Sequence, residues 1–220
     1  MSDELENLIH STPYLWRGDC TAGAAFSGIP SGYPELDRVL PGKGWPRGAV
    51  IELALEAVGI GELRLMLPAI RTLIAGRRFI VMIDTPYRPY APALSGSGLD
   101  LDALYLVAPE SPEDAWWAAE KALLNPFCGM VLLWSGTVHR KNHGLLKDTV
   151  IRRLQVAAQA SHAILVVYRI AGRDRTERQN PWAALRLGLG SRDGALVIDV
   201  LKARGSSRLT RVRLNLENRN

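Results

Sequence analysis

The feature that most constrains this chain is a set of short apolar runs with helical patterns between them. Val50 to Leu55, Phe79 to Ile83, Leu104 to Val107, Met130 to Trp134 and Ala163 to Tyr168 are such runs, and their length reads as strands buried on both faces. Between the third and fourth, Ser111-Pro112-Glu113-Asp114 supplies a capping hydroxyl, a first-turn proline and acidic residues, which predicts a helix to about Leu124. Before the fifth, Leu146, Val150, Ile151, Leu154, Ala157 and Ala158 share one helical face, with Lys147, Asp148, Arg152 and Arg153 off it. Strand and helix in alternation predict an α/β fold, a mostly parallel twisted sheet with helices on both faces.

After Tyr168 the pattern changes. Gly172 to Pro181 is polar and charged without an apolar period, which predicts a loop. Leu185 to Leu189 and Ala195 to Leu201, joined by Gly190-Ser191-Arg192-Asp193-Gly194, predict an antiparallel hairpin that extends the sheet at its edge. Beyond it, Arg208, Leu209, Arg211, Val212, Arg213 and Leu214 alternate, and a last strand or a frayed tail both fit. The expected organisation is an N-terminal segment over 1–25, a core domain over 26–202 and a basic C-terminal tail over 203–220.

The 220 residues suit one such unit, and 47% hydrophobic with 22% charged residues is globular composition. No run approaches the ~18 apolar residues of a membrane span, and Met1-Ser2-Asp3-Glu4 does not open a signal peptide, so a cytoplasmic protein with no membrane contact is expected. Cys20 and Cys128 form neither a disulfide framework nor a zinc spacing and are expected to be reduced thiols. Residues 1–140 hold 11 Lys/Arg against 16 Asp/Glu, a net of −5, and residues 141–220 hold 16 against 6, a net of +10. A basic block of that size points to an acidic partner such as nucleic acid, or to a solvated face.

Ser27-Gly28-Ile29-Pro30-Ser31-Gly32, Leu36-Asp37, Gly44-Trp45-Pro46-Arg47-Gly48 and Ile51-Glu52-Leu53 together resemble the entry into the ATPase core of RecA-family recombinases. In that family the strand leads into a phosphate loop whose glycine precedes a lysine and a hydroxyl residue. Here the stretch is Leu55-Glu56-Ala57-Val58-Gly59-Ile60-Gly61-Glu62-Leu63-Arg64-Leu65. A phosphate loop needs backbone N–H groups, a lysine for the terminal phosphates and a hydroxyl for magnesium. Gly59 and Gly61 keep the glycines, but Glu62 replaces the lysine and Leu63 the hydroxyl. A carboxylate facing a triphosphate at ~4 Å is repelled by several kcal/mol. The opposing expectation is that Arg64 substitutes for the lysine from a shifted position. Pro68 lies inside the following helix, which is expected to start late or to kink.

The resemblance places Pro86 where recombinases carry the glutamate that activates water, and Trp134 where they carry the aspartate that supports magnesium. Neither side chain performs that chemistry. The expectation is therefore a non-enzyme, with a degenerate phosphate loop at Gly59, Gly61, Glu62 and Leu63, no catalytic residue, no cofactor and no metal.

Other candidates are weaker. His139 and His143 have a helical metal-ligand spacing but no third ligand, in a stretch that reads as a solvated loop with Arg140 and Lys141. Asp84 ends a strand, where a carboxylate is usually a cap, and Ser135 has no nucleophile-elbow pattern. Trp116 and Trp117 are adjacent on a helix, so one faces inward and the other, Trp117, is a partner anchor or a half-buried packing residue. Lys202, Arg204, Arg208, Arg211 and Arg213 are the best DNA or partner contacts, together with Arg140 and Lys141. Spacing of two puts Arg211 and Arg213 on one face of an extended segment, where they reach phosphates or simply keep an edge strand soluble.

Within the RecA-like frame, Trp16-Arg17-Gly18, Gly44-Trp45-Pro46-Arg47-Gly48, Gly59-Ile60-Gly61-Glu62-Leu63-Arg64, Pro89-Tyr90-Ala91-Pro92-Ala93-Leu94 and Arg153-Leu154-Gln155 resemble the ImuA family, translesion-synthesis-associated proteins of bacterial mutagenesis cassettes. The resemblance runs from about Trp16 to Lys202. It implies a damage-induced accessory factor that works with ImuB, a polymerase-like protein, with RecA and with an error-prone DnaE-type polymerase, and it carries over no catalytic residue. SulA-type cell-division inhibitors, which bind FtsZ, resemble the same core. The long basic C-terminal part favours the ImuA resemblance over them.

Overall fold

The computed structural model describes residues 28–135, 148–170, 182–203 and 210–216. The predicted apolar runs become strands β3 (Ala49–Leu55), β4 (Phe79–Ile83), β5 (Leu104–Val107), β6 (Cys128–Ser135) and β7 (Ile164–Ile170), followed by β8 (Leu185–Arg192), β9 (Ala195–Ala203) and β10 (Arg211–Leu214). They form one sheet in the order β10-β9-β8-β3-β7-β6-β4-β5. Neighbours from β8 to β5 are parallel, and β9 lies antiparallel between β8 and β10. A separate ribbon pairs β1 (Gly28–Ile29) with β2 (Trp45–Pro46).

The period of two along each strand divides the core. In β6, Met130, Leu132 and Trp134 face one apolar layer, and Val131 and Leu133 face the other. The first layer is closed by α1 (Pro34–Asp37), α2 (Glu62–Ala75) and α3 (Ala91–Gly96) through Leu36, Leu65, Met66, Ala69, Ile70, Leu73 and Leu94. The second is closed by α4 (Pro112–Leu123) and α5 (Asp148–Ser161) through Ala115, Ala119, Leu123, Leu154, Ala157 and Ala158. Helices thus cover both faces, as double burial of the parallel strands requires.

The α4 start is the capping box read in the sequence. Ser111 Oγ accepts the Asp114 N–H at 3.1 Å, and Asp114 Oδ2 accepts the Ser111 N–H at 3.1 Å. Helix α5 is tied to the sheet by a buried amide: Gln155 Oε1 accepts the Val50 N–H at 2.9 Å, and its Nε2 donates to the Gly48 carbonyl at 3.1 Å.

Two expectations are corrected. Helix α2 does not start late, but runs from Glu62 to Ala75 with Pro68 inside it. Proline removes one helical donor and so frees the carbonyl four residues back, and that carbonyl, of Arg64, accepts the Tyr33 hydroxyl at 3.4 Å. The hairpin turn is also shorter than expected: β8 continues to Arg192, and only Asp193 (φ 50) and Gly194 (φ 73) turn the chain. Two consecutive positive φ angles make the two-residue connection whose twist matches antiparallel strands, and Asp-Gly suits it. Residues 211–214 resolve the last alternative as a strand, with Val212 and Leu214 in the core. Among the described residues, no helix is long and apolar enough to cross a membrane.

Candidate functional site

The loop between β3 and α2 is the centre of the sequence argument. Gly59 (φ 78) and Gly61 (φ 106) both adopt left-handed backbone, and both N–H groups reach the first residue of α2. Glu62, 5% exposed, is the first residue of that helix. Its side chain does not stand across an open loop as a repelling charge. It folds back, and Oε1 accepts the Gly59 N–H at 2.9 Å while Oε2 accepts the Gly61 N–H at 3.1 Å. A carboxylate at a helix N-terminus is favoured by the dipole and by the unpaired donors there. The amides that would cradle an external anion therefore hold an internal one. Leu63 is half-buried against the first core layer, and Arg64 is exposed.

The surroundings of Glu62 are aromatic. Tyr168, fully buried in β7, donates its hydroxyl to the Glu62 carbonyl at 3.4 Å and stacks on Trp134 with centroids 4.3 Å apart and planes 18° from parallel. Burial, and secondarily the Glu62 charge, hold the Tyr168 hydroxyl well above its ordinary titration range. Trp134 is thus a core residue beneath the loop. Pro86 lies half-buried after β4, and Asp84, at φ 54, donates its N–H to the Val107 carbonyl at 3.0 Å.

A second ionic cluster joins three central strands. Glu52 in β3 is 1% exposed, and its Oε1 lies 3.0 Å from Arg169 Nη1 in β7 and 3.2 Å from Arg186 Nε in β8. A buried carboxylate facing two guanidinium groups ties β3 to both of its neighbours. Sequence reasoning assigned no role to these three residues. The available signal was a charge inside an otherwise unbroken apolar strand, which demands a buried partner.

Of the basic candidates, Lys202, Arg211 and Arg213 lie among the described residues. Arg211 and Arg213 point to one face of β10, as their spacing predicts, but each meets a carboxylate. Arg211 Nε lies 2.6 Å from Asp199 Oδ1, its direct cross-strand partner, and Arg213 Nη2 lies 3.1 Å from Asp193 Oδ2. The Asp199 carboxylate raises the Arg211 pKa further. Both pairs are solvated and weak enough to exchange for another anion. Lys202 is half-buried in β9, opposite Arg186. Arg204, Arg208, Arg140 and Lys141, with His139, His143 and Cys20, lie outside the described residues. Cys128 is buried and unpaired. No group of three or more metal-ligating side chains gathers among the described residues.

On α4 the two tryptophans divide between core and surface. Trp116 packs against the second core layer, and Trp117 is 61% exposed with Lys121 Nζ 5.8 Å from its ring centre. Trp116, Trp117, Glu113, Glu120, Val150 and Leu154 line a groove of about 570 Å³ between α4 and α5. Glu120 forms an ion pair across it with Arg153.

No protein-family model matches this chain, and no curated protein matches it significantly.

Proposed function

We propose that the chain is a RecA-like, non-catalytic accessory protein of damage-induced translesion DNA synthesis, an adaptor for ImuB-like and RecA-like partners. A DnaE-type polymerase joins indirectly through the ImuB-like partner. Trp117 and its groove are the candidate protein anchor, and the arginines of β10 are the candidate DNA contact. The observation that carries the reading is Glu62: its carboxylate takes the Gly59 and Gly61 amides, so the phosphate loop is satisfied without nucleotide. Trp134 and Pro86, at the places the resemblance gives to magnesium and water activation, supply no such chemistry. A protein with this frame and no ATP step acts by what it binds.

The test is a titration with magnesium-ATP beside capture assays against purified ImuB, RecA and FtsZ, with DNA binding followed across a salt series. No heat of nucleotide binding and capture of ImuB or RecA are the expected results. Steep salt dependence assigns the basic strand to phosphates. ATP turnover, or capture of FtsZ alone, overturns the reading.

A further inference from the structure

The two edges of the sheet are built oppositely. At the β10 edge, exposed Arg211 and Arg213 alternate with buried Val212 and Leu214, the charged pattern that discourages further pairing. At the other edge, β5 reads Leu104-Tyr105-Leu106-Val107, with no charge and no proline. Tyr105 is 54% exposed and Leu106 50% exposed, on opposite faces of the strand. The Val107 carbonyl accepts the Asp84 N–H at 3.0 Å, so Val107 turns its backbone groups toward β4. Alternation then turns the N–H and C=O of Leu106 outward, away from the sheet. Phe127, 66% exposed, adds to this rim: its carbonyl accepts the Phe79 N–H at 3.0 Å, and the Phe79 ring meets Tyr105 edge-on at 5.4 Å.

The charge around the edge specifies its occupant. Three carboxylates, Asp100, Asp102 and Glu110, flank β5 in the chain, and no Lys or Arg falls between Pro89 and Glu110. Asp100 and Asp102 stand exposed at the entry to β5, and Glu110 at its exit. We propose that β5 is a docking edge for an extended partner-protein segment with apolar residues at its centre and Lys or Arg at its ends, which adds as a further strand. Backbone pairing at Leu106 provides the affinity, and the carboxylates at both ends select the flanks. A second copy of this edge brings the same carboxylates together and is disfavoured, as are the phosphates of a nucleic acid. The inference names a surface and a partner chemistry, and it does not depend on the translesion reading.

The test uses the full chain and two fluorescein-labelled peptides with the same alternating Val-Thr centre, one flanked by lysines and the other by glutamates. Fluorescence anisotropy is expected to show the lysine-flanked peptide binding about tenfold or more tighter, with slowed hydrogen exchange at the Leu106 amide. Leu106→Pro removes an outward donor and spares the β4 ladder, so it is expected to abolish capture with the circular dichroism spectrum unchanged. Leu106→Lys, which cannot disturb the backbone in that way, is expected to weaken capture by about tenfold. Failure of the lysine-flanked peptide to bind, equal binding of both peptides, or full binding by folded Leu106→Lys overturns the proposal. So does a concentration-dependent dimer that Leu106→Lys dissolves. None of these outcomes bears on nucleotide binding or on capture of ImuB.

Discussion

Leu216 lies over Gly61: a Cβ built on Gly61 would come within 2.6 Å of Leu216 Cδ1. The segment after β10 therefore packs on the β3–α2 loop from outside, while the Glu62 carboxylate fills it from within. At Gly61 a side chain meets both a left-handed backbone and this contact, whereas at Gly59 the backbone is left-handed but the space is open. Gly61→Ala is expected to lower stability by about 1–3 kcal/mol and Gly59→Ala by about 1 kcal/mol. In a Leu216→Ala background the Gly61→Ala cost is expected to shrink, because the steric part is gone. Urea unfolding of the variants reads all three, and equal costs at the two glycines would contradict the packing.

Glu62→Ala leaves the Gly59 and Gly61 amides without their acceptor. The expected cost is about 1–3 kcal/mol, the range for a partly buried donor losing its partner. A neutral result in urea unfolding would mean that water replaces the carboxylate and that the loop does not need it.

Glu52 and Glu56 lie on the same strand and its exit, yet they should respond very differently. Glu52→Gln strands two guanidinium groups in a buried site and is expected to cost about 3–5 kcal/mol. Glu56 pairs with Arg192 at 2.8 Å on the surface, and Glu56→Gln is expected to cost at most about 1 kcal/mol. Thermal unfolding of the two variants side by side tests the contrast.

Burial pushes the Cys128 thiol up from its ordinary 9.0 to about 12. The unfolded chain therefore loses this proton first, and stability is intact below about pH 9 and declines as the pH rises toward 12. Cys128→Ala removes that dependence. Its urea midpoint is expected to fall less steeply than that of the wild type between those limits, and parallel slopes would show that Cys128 is not the group responsible.

Trp117→Ala is expected to change stability by less than about 0.5 kcal/mol, because its ring is exposed, and Trp116→Ala by about 2 kcal/mol. Under the adaptor reading, Trp117→Ala loses capture of ImuB while remaining folded. Undiminished capture would remove the groove between α4 and α5 from the interface.

The amino-acid sequence by itself determined strands β3 to β9 of the main sheet and helices α4 and α5, but not the β1–β2 ribbon, α1 or α3. The period of the apolar runs, the capping box at Ser111 and Asp114 and the presence of a turn within Gly190–Gly194 are local, so their signals survive without tertiary knowledge, although only folding trims the turn to Asp193-Gly194. The adjacency of Trp116 and Trp117 left an outward ring and two half-buried rings both open, and the structure exposes Trp117. The tertiary structure decided what each charge does, because a partner distant in the chain leaves no periodic trace. Glu62 turned into its own loop rather than out of it, Pro68 sits inside a helix with the freed Arg64 carbonyl accepting from Tyr33, and Glu52 joined Arg169 and Arg186 across three strands. Strand order, too, arises only on folding: nothing local marks Leu104 to Val107 as an edge, since a central strand and an unguarded edge are written in the same apolar residues.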